Sequence, residues 1–368
     1  MSHPNPDDLK FMKMALRLAE KGRGRTAPNP MVGAVVVRKG RVVGQGFHQK
    51  AGGPHAEIIA LEQAGKKASG ATLYVTLEPC NHFGRTPPCT MAVLERGIKR
   101  VVFGMNDPNP KVKGGGAEWL RARGLEVGKG GLEKDGRRLN EVYLKWIATG
   151  LPFVILKSAV SLDGRIATSS GDSKWISSES SRRMVHYLRN QVDGIVAGIG
   201  TVLKDDPQLT VRLPRGKTRD PLRIIIDPRL RISPRARVLN NPRGAMVVTA
   251  EGAPLRKREV LEQAGVEILS LPIKNGLIST RELMVRLGRR GITSLLLEGG
   301  SETYATFLKE DQVDKLMVFI APCLLGGHKA VGMIGGQGVS RVDEAVRLKE
   351  MKVRTIGGDI LVEAYPEK

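Results

Sequence analysis

Cysteine is scarce in this chain: three thiols in 368 residues cannot build a disulfide framework. Aromatic residues make up 4%, too few to suggest a base-stacking platform for single-stranded nucleic acid. No apolar run approaches the roughly 18 residues that a membrane span needs. The opening MSHPNPDDLKFM also lacks the basic-then-apolar layout of a secretory leader. Repeats and low-complexity tracts are absent. These absences predict a cytoplasmic, reduced, soluble protein with no membrane partner. Positive charge, in contrast, is plentiful, with 59 Lys and Arg against 37 Asp and Glu and a net charge of +22. The excess is spread over both halves, so it is no basic tail. Such a field favours anionic partners, either phosphorylated small molecules or nucleic acid, although it also serves solubility.

The length suggests about two domains at roughly 150 residues each. Residues 7–22 place apolar side chains at 11, 14, 15 and 18, the spacing of a helix face, behind an acidic pair. VGAVVVRKGRVVGQGF reads as two strands joined by a turn at Lys39 and Gly40. A helix is expected from near Pro54 through HAEIIALEQAG, closed by Gly65, and ATLYVTLEPC reads as a buried strand running into a Glu-Pro-Cys loop. Strands and helices alternate onward, which predicts helices packed on a mostly parallel sheet. Gly150 and Pro152 mark a boundary between residues 1–149 and 150–368. Beyond it a second α/β pattern begins, ending in an edge hairpin at VRTIGGDILVEAY.

The chemistry of the first half is concentrated in three places. His55-Ala56-Glu57 opens a predicted helix, Pro79-Cys80 ends a predicted strand, and Cys89 begins another helix. One imidazole and two thiolates give zinc three good ligands and leave a fourth position for water, which such a site activates near neutral pH. Glu57 can face the pocket without being a ligand and shuttle a proton to a leaving amine. The pattern matches the zinc deaminase signature H-x-E with P-C-x-x-C, except that eight residues, NHFGRTPP, separate the cysteines. His82, Arg85 and Thr86 in that loop bring donors and positive charge beside the metal, as a phosphate-bearing substrate requires. Asn29 and His48 are each open to a plainer reading as satisfied turn residues.

PNPMVGAVVV, GGPHAE and EPCNHFGRTPPC resemble the deaminase half of the bifunctional riboflavin-biosynthesis deaminase-reductases. The resemblance implies a cytidine-deaminase-like three-layer domain with zinc on His55, Cys80 and Cys89 and Glu57 as proton shuttle. Asn29, His48 and Arg85 would then contact a diaminopyrimidine ribosyl phosphate. Asn81 stands where the family pattern more often has Ser.

LKSAVSLDGRIA, SKWIS, HYLRNQVDGIVAGIGTVLKDDPQLTVR and LLLEGG are similar to the family's reductase half, a dihydrofolate-reductase-like α/β domain. Read from its residues alone, this half offers only two glycine-bearing strand-to-loop junctions, at 198–201 and 299–301. Gly198-Ile199-Gly200 lacks the third glycine of a dinucleotide fingerprint because Leu203 occupies that position. Each junction alone fits a tight turn, and the resemblance turns both towards NADPH. It implies that Ala159, Trp175, Thr201, Asp205, Gly300, Ser301, Glu302 and Thr303 hold the cofactor. Lys157, Ser173, Arg189, Leu209, Arg212 and Glu298 would line the substrate side, the arginines suiting its phosphate. The basic run from Arg212 to Arg237 reads as a solvated loop region and Cys323 as a core thiol. The resemblance also implies a homo-oligomer, with zinc and NADPH as cofactors and no nucleic-acid partner.

Two other readings compete. A nucleic-acid adenosine or cytidine deaminase with a basic RNA-binding extension draws support from the charge; the cysteine spacing and the second α/β half oppose it. A zinc-stabilised nucleic-acid-binding protein leaves Glu57 without a purpose and predicts a fourth protein ligand.

Overall fold

The computed structural model describes residues 5–83, 87–110, 115–214, 216, 218–274 and 276–367. The chain divides into two compact units, Met1–Gly150 and Leu151–Lys368.

The first unit runs α1 (Pro6–Glu20), β1 (Gly33–Arg38), β2 (Arg41–Phe47), α2 (Ala56–Ala64), β3 (Thr72–Leu77), α3 (Cys89–Glu95), β4 (Arg100–Met105), α4 (Gly116–Arg121), β5 (Glu126–Lys129), α5 (Glu133–Leu139) and α6 (Glu141–Thr149). Asn5 caps α1 by accepting from the Asp7 N–H, and Lys39 and Gly40 turn the β1–β2 hairpin in the left-handed region (φ 49° and 72°). The sheet order is β2-β1-β3-β4-β5. β1 pairs antiparallel with both β2 and β3, whereas β3, β4 and β5 are parallel. The mostly parallel sheet expected from the alternation is therefore mixed here, because the tight hairpin forces β2 back beside β1. Alternation along β1 sends Ala34 and Val36 to one face with Ala56, Ala60 and Leu61 of α2, and Val35 and Val37 to the other with Phe11, Met12 and Ala15 of α1. The result is three layers.

Two glycines of β2 set how closely α2 approaches. A Cβ on Gly44 would lie 2.1 Å from the Ala60 carbonyl oxygen, and one on Gly46 would lie 2.5 Å from that of Ala56. Gly46→Ala must push α2 off the sheet. We expect a cost of about 1–3 kcal/mol from overpacking, read as an earlier denaturant midpoint for the first unit, and a shift of Glu57, which α2 carries.

The second unit contains β6 (Phe153–Ser161), β7 (Arg165–Ala167), α7 (Glu179–Arg189), β8 (Gly194–Gly198), α8 (Ile199–Asp205), β9 (Leu222–Ile226), β10 (Ala245–Ala250), α9 (Leu255–Gln263) and β11 (Glu267–Leu271). There follow β12 (Ile273–Lys274), β13 (Leu277–Ile278), α10 (Thr280–Arg289), β14 (Ser294–Leu297), α11 (Ser301–Lys309), β15 (Lys315–Ala321), β16 (Val331–Gly332), β17 (Leu348–Ile356) and β18 (Asp359–Pro366). The main sheet is ordered β11-β10-β9-β8-β14-β6-β15-β18-β17. Its strands are parallel from β11 to β15, and the β17–β18 hairpin closes it antiparallel. Ile195 and Ala197 of β8 face one apolar cluster and Val196 the other, so both faces are covered. In the basic run, Arg223 departs from the solvated reading. It is 2% exposed, with its guanidinium spent on the carbonyls of Val238, Asn241 and Gly244.

Candidate active sites

In the first unit the metal-ligand candidates converge from three elements. His55 is the N-cap of α2, Cys80 follows β3, and Cys89 is the first residue of α3. The His55 Nδ1 and the two sulfurs all lie within 4.8 Å of one another, with Nδ1 3.2 Å from Cys89 Sγ and 3.5 Å from Cys80 Sγ. Among the described residues no other His, Cys, Asp or Glu completes the group. Zinc bonds of about 2.0–2.3 Å to nitrogen and sulfur span these separations, and two soft thiolates with an imidazole are its preferred donors, so the set fits zinc. The Cys89 backbone N–H donates to Cys80 Sγ at 3.3 Å. Hydrogen bonds from the Cys89 thiol and from His55 hold the Cys80 thiol down to about 4, while His55, hydrogen-bonded to Cys80, is raised to about 9.

Glu57 is 4% exposed and touches Cys89. Burial pushes its carboxyl up to about 7, where a group both gains and loses a proton near neutrality. Glu78, which sequence reasoning passed over, pins the loop carrying Cys80. It accepts from the Ala117 N–H and from the Asn106 amide, both at 3.0 Å.

Asn29 and His48 meet. The Asn29 amide donates to His48 Nε2 at 3.1 Å, and His48 Nδ1–H donates to the Pro54 carbonyl at 3.0 Å. Both nitrogens of this buried ring are thus engaged, and it stands edge-on to the His55 ring, 5.7 Å between centroids. Asn140, also missed from the sequence, holds the Asn29 turn by bonding the Met31 N–H and carbonyl at 2.7 and 3.0 Å. Asn81 accepts from the Thr90 hydroxyl. His82 is half-buried, and its Nδ1 has no hydrogen-bond partner among the described residues. Arg85 and Thr86 lie outside the described residues.

In the second unit one cavity of about 740 Å³ gathers the predicted reductase residues. Lys157, Ser173, Arg189, Arg212 and Glu298 line it together with Ala159, Trp175, Thr201, Asp205 and Gly300 to Thr303. Leu209 departs from the expectation. Its side chain is 3% exposed, packs into the apolar cluster beside β8 and forms no part of the cavity wall. Arg189 also differs from the open phosphate fork envisaged, since it grips Glu298 through Nε at 2.7 Å and Nη2 at 2.9 Å. Burial alone would raise the Glu298 carboxyl; the Arg189 guanidinium, with Lys157 nearby, overrides it and holds it down to about 2. Lys157 itself is depressed by burial.

The two glycine junctions pack directly against each other in the wall of this cavity. A Cβ on Gly198 would lie 2.3 Å from Thr303 Oγ1, one on Gly299 2.8 Å from Thr303 Cβ, and one on Gly300 3.4 Å from Thr201 Oγ1. The glycines let the two junctions pack this closely, and the backbone N–H groups at the start of α11 line the cavity, the arrangement that suits a dinucleotide pyrophosphate, so NADPH fits. Glu302 is already occupied, accepting from the Gly336 N–H at 3.2 Å. The sequence reading missed Arg182, whose guanidinium lies 4.6 Å from the Trp175 ring centroid, His186, and Tyr304, whose hydroxyl donates to the Lys157 carbonyl at 2.6 Å. Arg182, Val185, His186 and Arg189 all line the cavity from one face of α7; their i, i+3, i+4, i+7 spacing was the available signal.

A three-donor soft-metal site beside a buried carboxylate, and a charged α/β cavity with a glycine cradle, define a zinc deaminase joined to a nucleotide-dependent reductase. The comparisons agree. Residues 5–105 match the "Cytidine and deoxycytidylate deaminase zinc-binding region" and residues 152–362 the "RibD C-terminal domain". The riboflavin biosynthesis protein RibD of Aquifex aeolicus is 46% identical over 356 residues, covering 96% of this chain and 97% of its own. That of Escherichia coli is 42% identical, with 96% and 98% covered. Among solved structures, Acinetobacter baumannii RibD superposes with a TM-score of 0.88 at 39% identity, covering 98% of this chain and 99% of its own. The diaminohydroxyphosphoribosylaminopyrimidine deaminase/5-amino-6-(5-phosphoribosylamino)uracil reductase of Thermotoga maritima has a TM-score of 0.86 at 41% identity and the same coverage. The chain belongs to the RibD family. The full-length matches leave the alternative of an RNA deaminase with a basic extension without support.

Proposed function

We propose that this protein carries out two successive steps of riboflavin biosynthesis. The first is hydrolytic deamination of 2,5-diamino-6-(5-phosphoribosylamino)pyrimidin-4(3H)-one; the second is reduction of the ribosyl chain of 5-amino-6-(5-phosphoribosylamino)uracil to ribityl. The observation that carries the reading is the meeting of His55, Cys80 and Cys89 beside the buried, non-ligating Glu57. Zinc held by those three residues supplies Lewis acidity that makes water nucleophilic at neutral pH. Glu57 takes the proton that the attacking water sheds and passes it to the departing amine, leaving as ammonia. Asn29 faces the pyrimidine, and His48 acts as the bracket that holds its amide. Arg85 contacts the phosphate.

In the second unit, NADPH bound in the cavity would supply the hydride for reduction of the opened ribose carbon. The Gly300–Thr303 turn with Thr201 and Asp205 holds the cofactor, and Ala159 and Trp175 flank it. Lys157 and Glu298 face the ribosyl chain, with Arg189 keeping Glu298 ionised and in place. Arg212 and Ser173 hold the phosphate, and Leu209 shapes the turn that presents Arg212. The domains divide near residue 150, deaminase first.

The test is mass spectrometry of the diaminopyrimidinone ribosyl phosphate after incubation with zinc-loaded protein. Amine should be replaced by oxygen without NADPH, and two hydrogens added only with it. Chelation of zinc should abolish the first change and spare reduction of supplied aminouracil substrate. Neither change with zinc bound would refute the reading.

A cytoplasmic homo-oligomer completes the proposal. No helix among the described residues is long and apolar enough to cross a membrane. The end strand β17 exposes Leu348, Met351 and Val353, the kind of edge that a second subunit covers. Light scattering at micromolar concentration should return a multiple of 40.0 kDa, and a monomer would refute it.

A further inference from the structure

Arg212 lies on a segment, residues 209–212, that belongs to no helix or strand. Such a segment positions a guanidinium only if something holds its backbone, and α7 does so twice. Arg189 Nη1–H donates to the Thr210 carbonyl at 3.0 Å, and the Arg212 N–H donates to His186 Nδ1 at 3.1 Å. Leu209 supplies the bend, in the left-handed region at φ 54°. The Arg212 side chain spends Nη1 on Gln208 Oε1 and Thr210 Oγ1, at 3.2 and 3.3 Å, which steadies it along its own segment. His186 also lines the cavity beside Arg212.

We infer that His186 is a positioning residue for the reductase substrate: by accepting the Arg212 backbone N–H it fixes the arm from which Arg212 binds the substrate's phosphate. The inference rests on reading Arg212 as a phosphate ligand. Only an uncharged imidazole accepts at Nδ1. Burial first, then the positive charges of Arg189 and Arg212, hold this ring down to about 4, the one facing carboxylate, Glu298, being paired with Arg189. Its acceptor is therefore in place throughout the neutral range.

The experiment compares the aminouracil substrate with its dephosphorylated counterpart, in the full-length protein with NADPH. His186→Ala should raise KM for the phosphorylated substrate about tenfold, leave kcat within about twofold, and cost the dephosphorylated substrate clearly less. His186→Asn, whose side-chain oxygen can stand near the place of Nδ1, should restore most of the loss; His186→Gln should not. Arg212→Ala should cost about 100-fold on the phosphorylated substrate and much less on the dephosphorylated one. If Arg212→Ala leaves the preference for phosphate intact, the phosphate reading itself falls and the inference with it. If Arg212→Ala abolishes that preference and His186→Ala does not weaken it, only the inference is overturned. Equal losses on both substrates would mean that His186 merely supports the fold. Should His186→Ala fail to bind NADPH, the Asn and Gln variants decide: the same KM in both overturns the proposal.

Discussion

Glu57→Gln should leave zinc bound at one ion per chain and lower deaminase turnover by about 10³-fold, within the range for removing a positioned general acid–base group. The amide matches the carboxyl in shape, so α2 and the ligand cluster stay as they are; only the ability to take up and release a proton is lost. Glu57 is buried at the start of α2 against Cys89, and among the described residues no carboxylate is part of the His55–Cys80–Cys89 cluster. NADPH-dependent reduction of supplied aminouracil substrate should continue at the parental rate. Metal analysis alongside both assays checks this. Full deaminase activity in a zinc-replete Glu57→Gln protein would remove Glu57 from the chemistry.

Glu298→Ala should be the most damaging single change in the second unit. Glu298 is ion-paired with Arg189 through two short bonds, side chains 9% and 12% exposed, and Lys157 lines the same cavity. Removing the carboxylate leaves two half-buried cations of the cavity wall, Arg189 and Lys157, without their counter-charge. Breaking a fully buried pair from one side costs about 3–5 kcal/mol; water in the cavity lowers that here, and the reductase should lose its activity while the deaminase retains its own. Glu298→Gln keeps hydrogen-bond acceptance by one oxygen and should fall between. The pH sign follows from the depressed carboxyl. Its contribution is fully present above the ordinary glutamate value near 4.3 and is lost as the pH falls towards about 2. Parent and Glu298→Gln stabilities should therefore converge in acid and differ by a constant amount from pH 5 upward. Denaturant melts across that range test both the size and the direction.

The zinc cluster and the cofactor cradle were legible in the sequence to different degrees. His55, Glu57, Cys80 and Cys89 sit in two short windows at predicted element ends, where local pattern determines geometry. The cradle residues were visible only as glycines that fit an ordinary turn, and resemblance was needed to weight them. What stayed hidden depends on distant pairing. Arg189 and Glu298 are 109 residues apart, and nothing local reveals that one strand end brings them together. Arg223 looked solvated because the run around it is basic; its burial follows from the three carbonyls that receive it. The mixed sheet of the first unit follows from the β1–β2 turn read in the sequence, which makes β1 antiparallel to both neighbours while the alternation beyond gives parallel order. His186 could have been found, since the face of α7 repeats at helical spacing, but a lone histidine beside two arginines carries little weight before its acceptor role is seen.

The strand order of the second unit has a consequence for how the chain emerges from the ribosome. β14, residues 294–297, lies between β8 and β6, strands made about a hundred residues earlier or more. Until β14 is released, the edges of β6 and β8 that will flank it have no native partner, and closing that long loop is slow. The first unit faces no such wait, since all its strands are complete by residue 129. Synthesis therefore delivers a finished deaminase fold ahead of a reductase sheet still open at its centre, and that gap is where nascent chains of this protein are most exposed to mispairing or to capture by a chaperone.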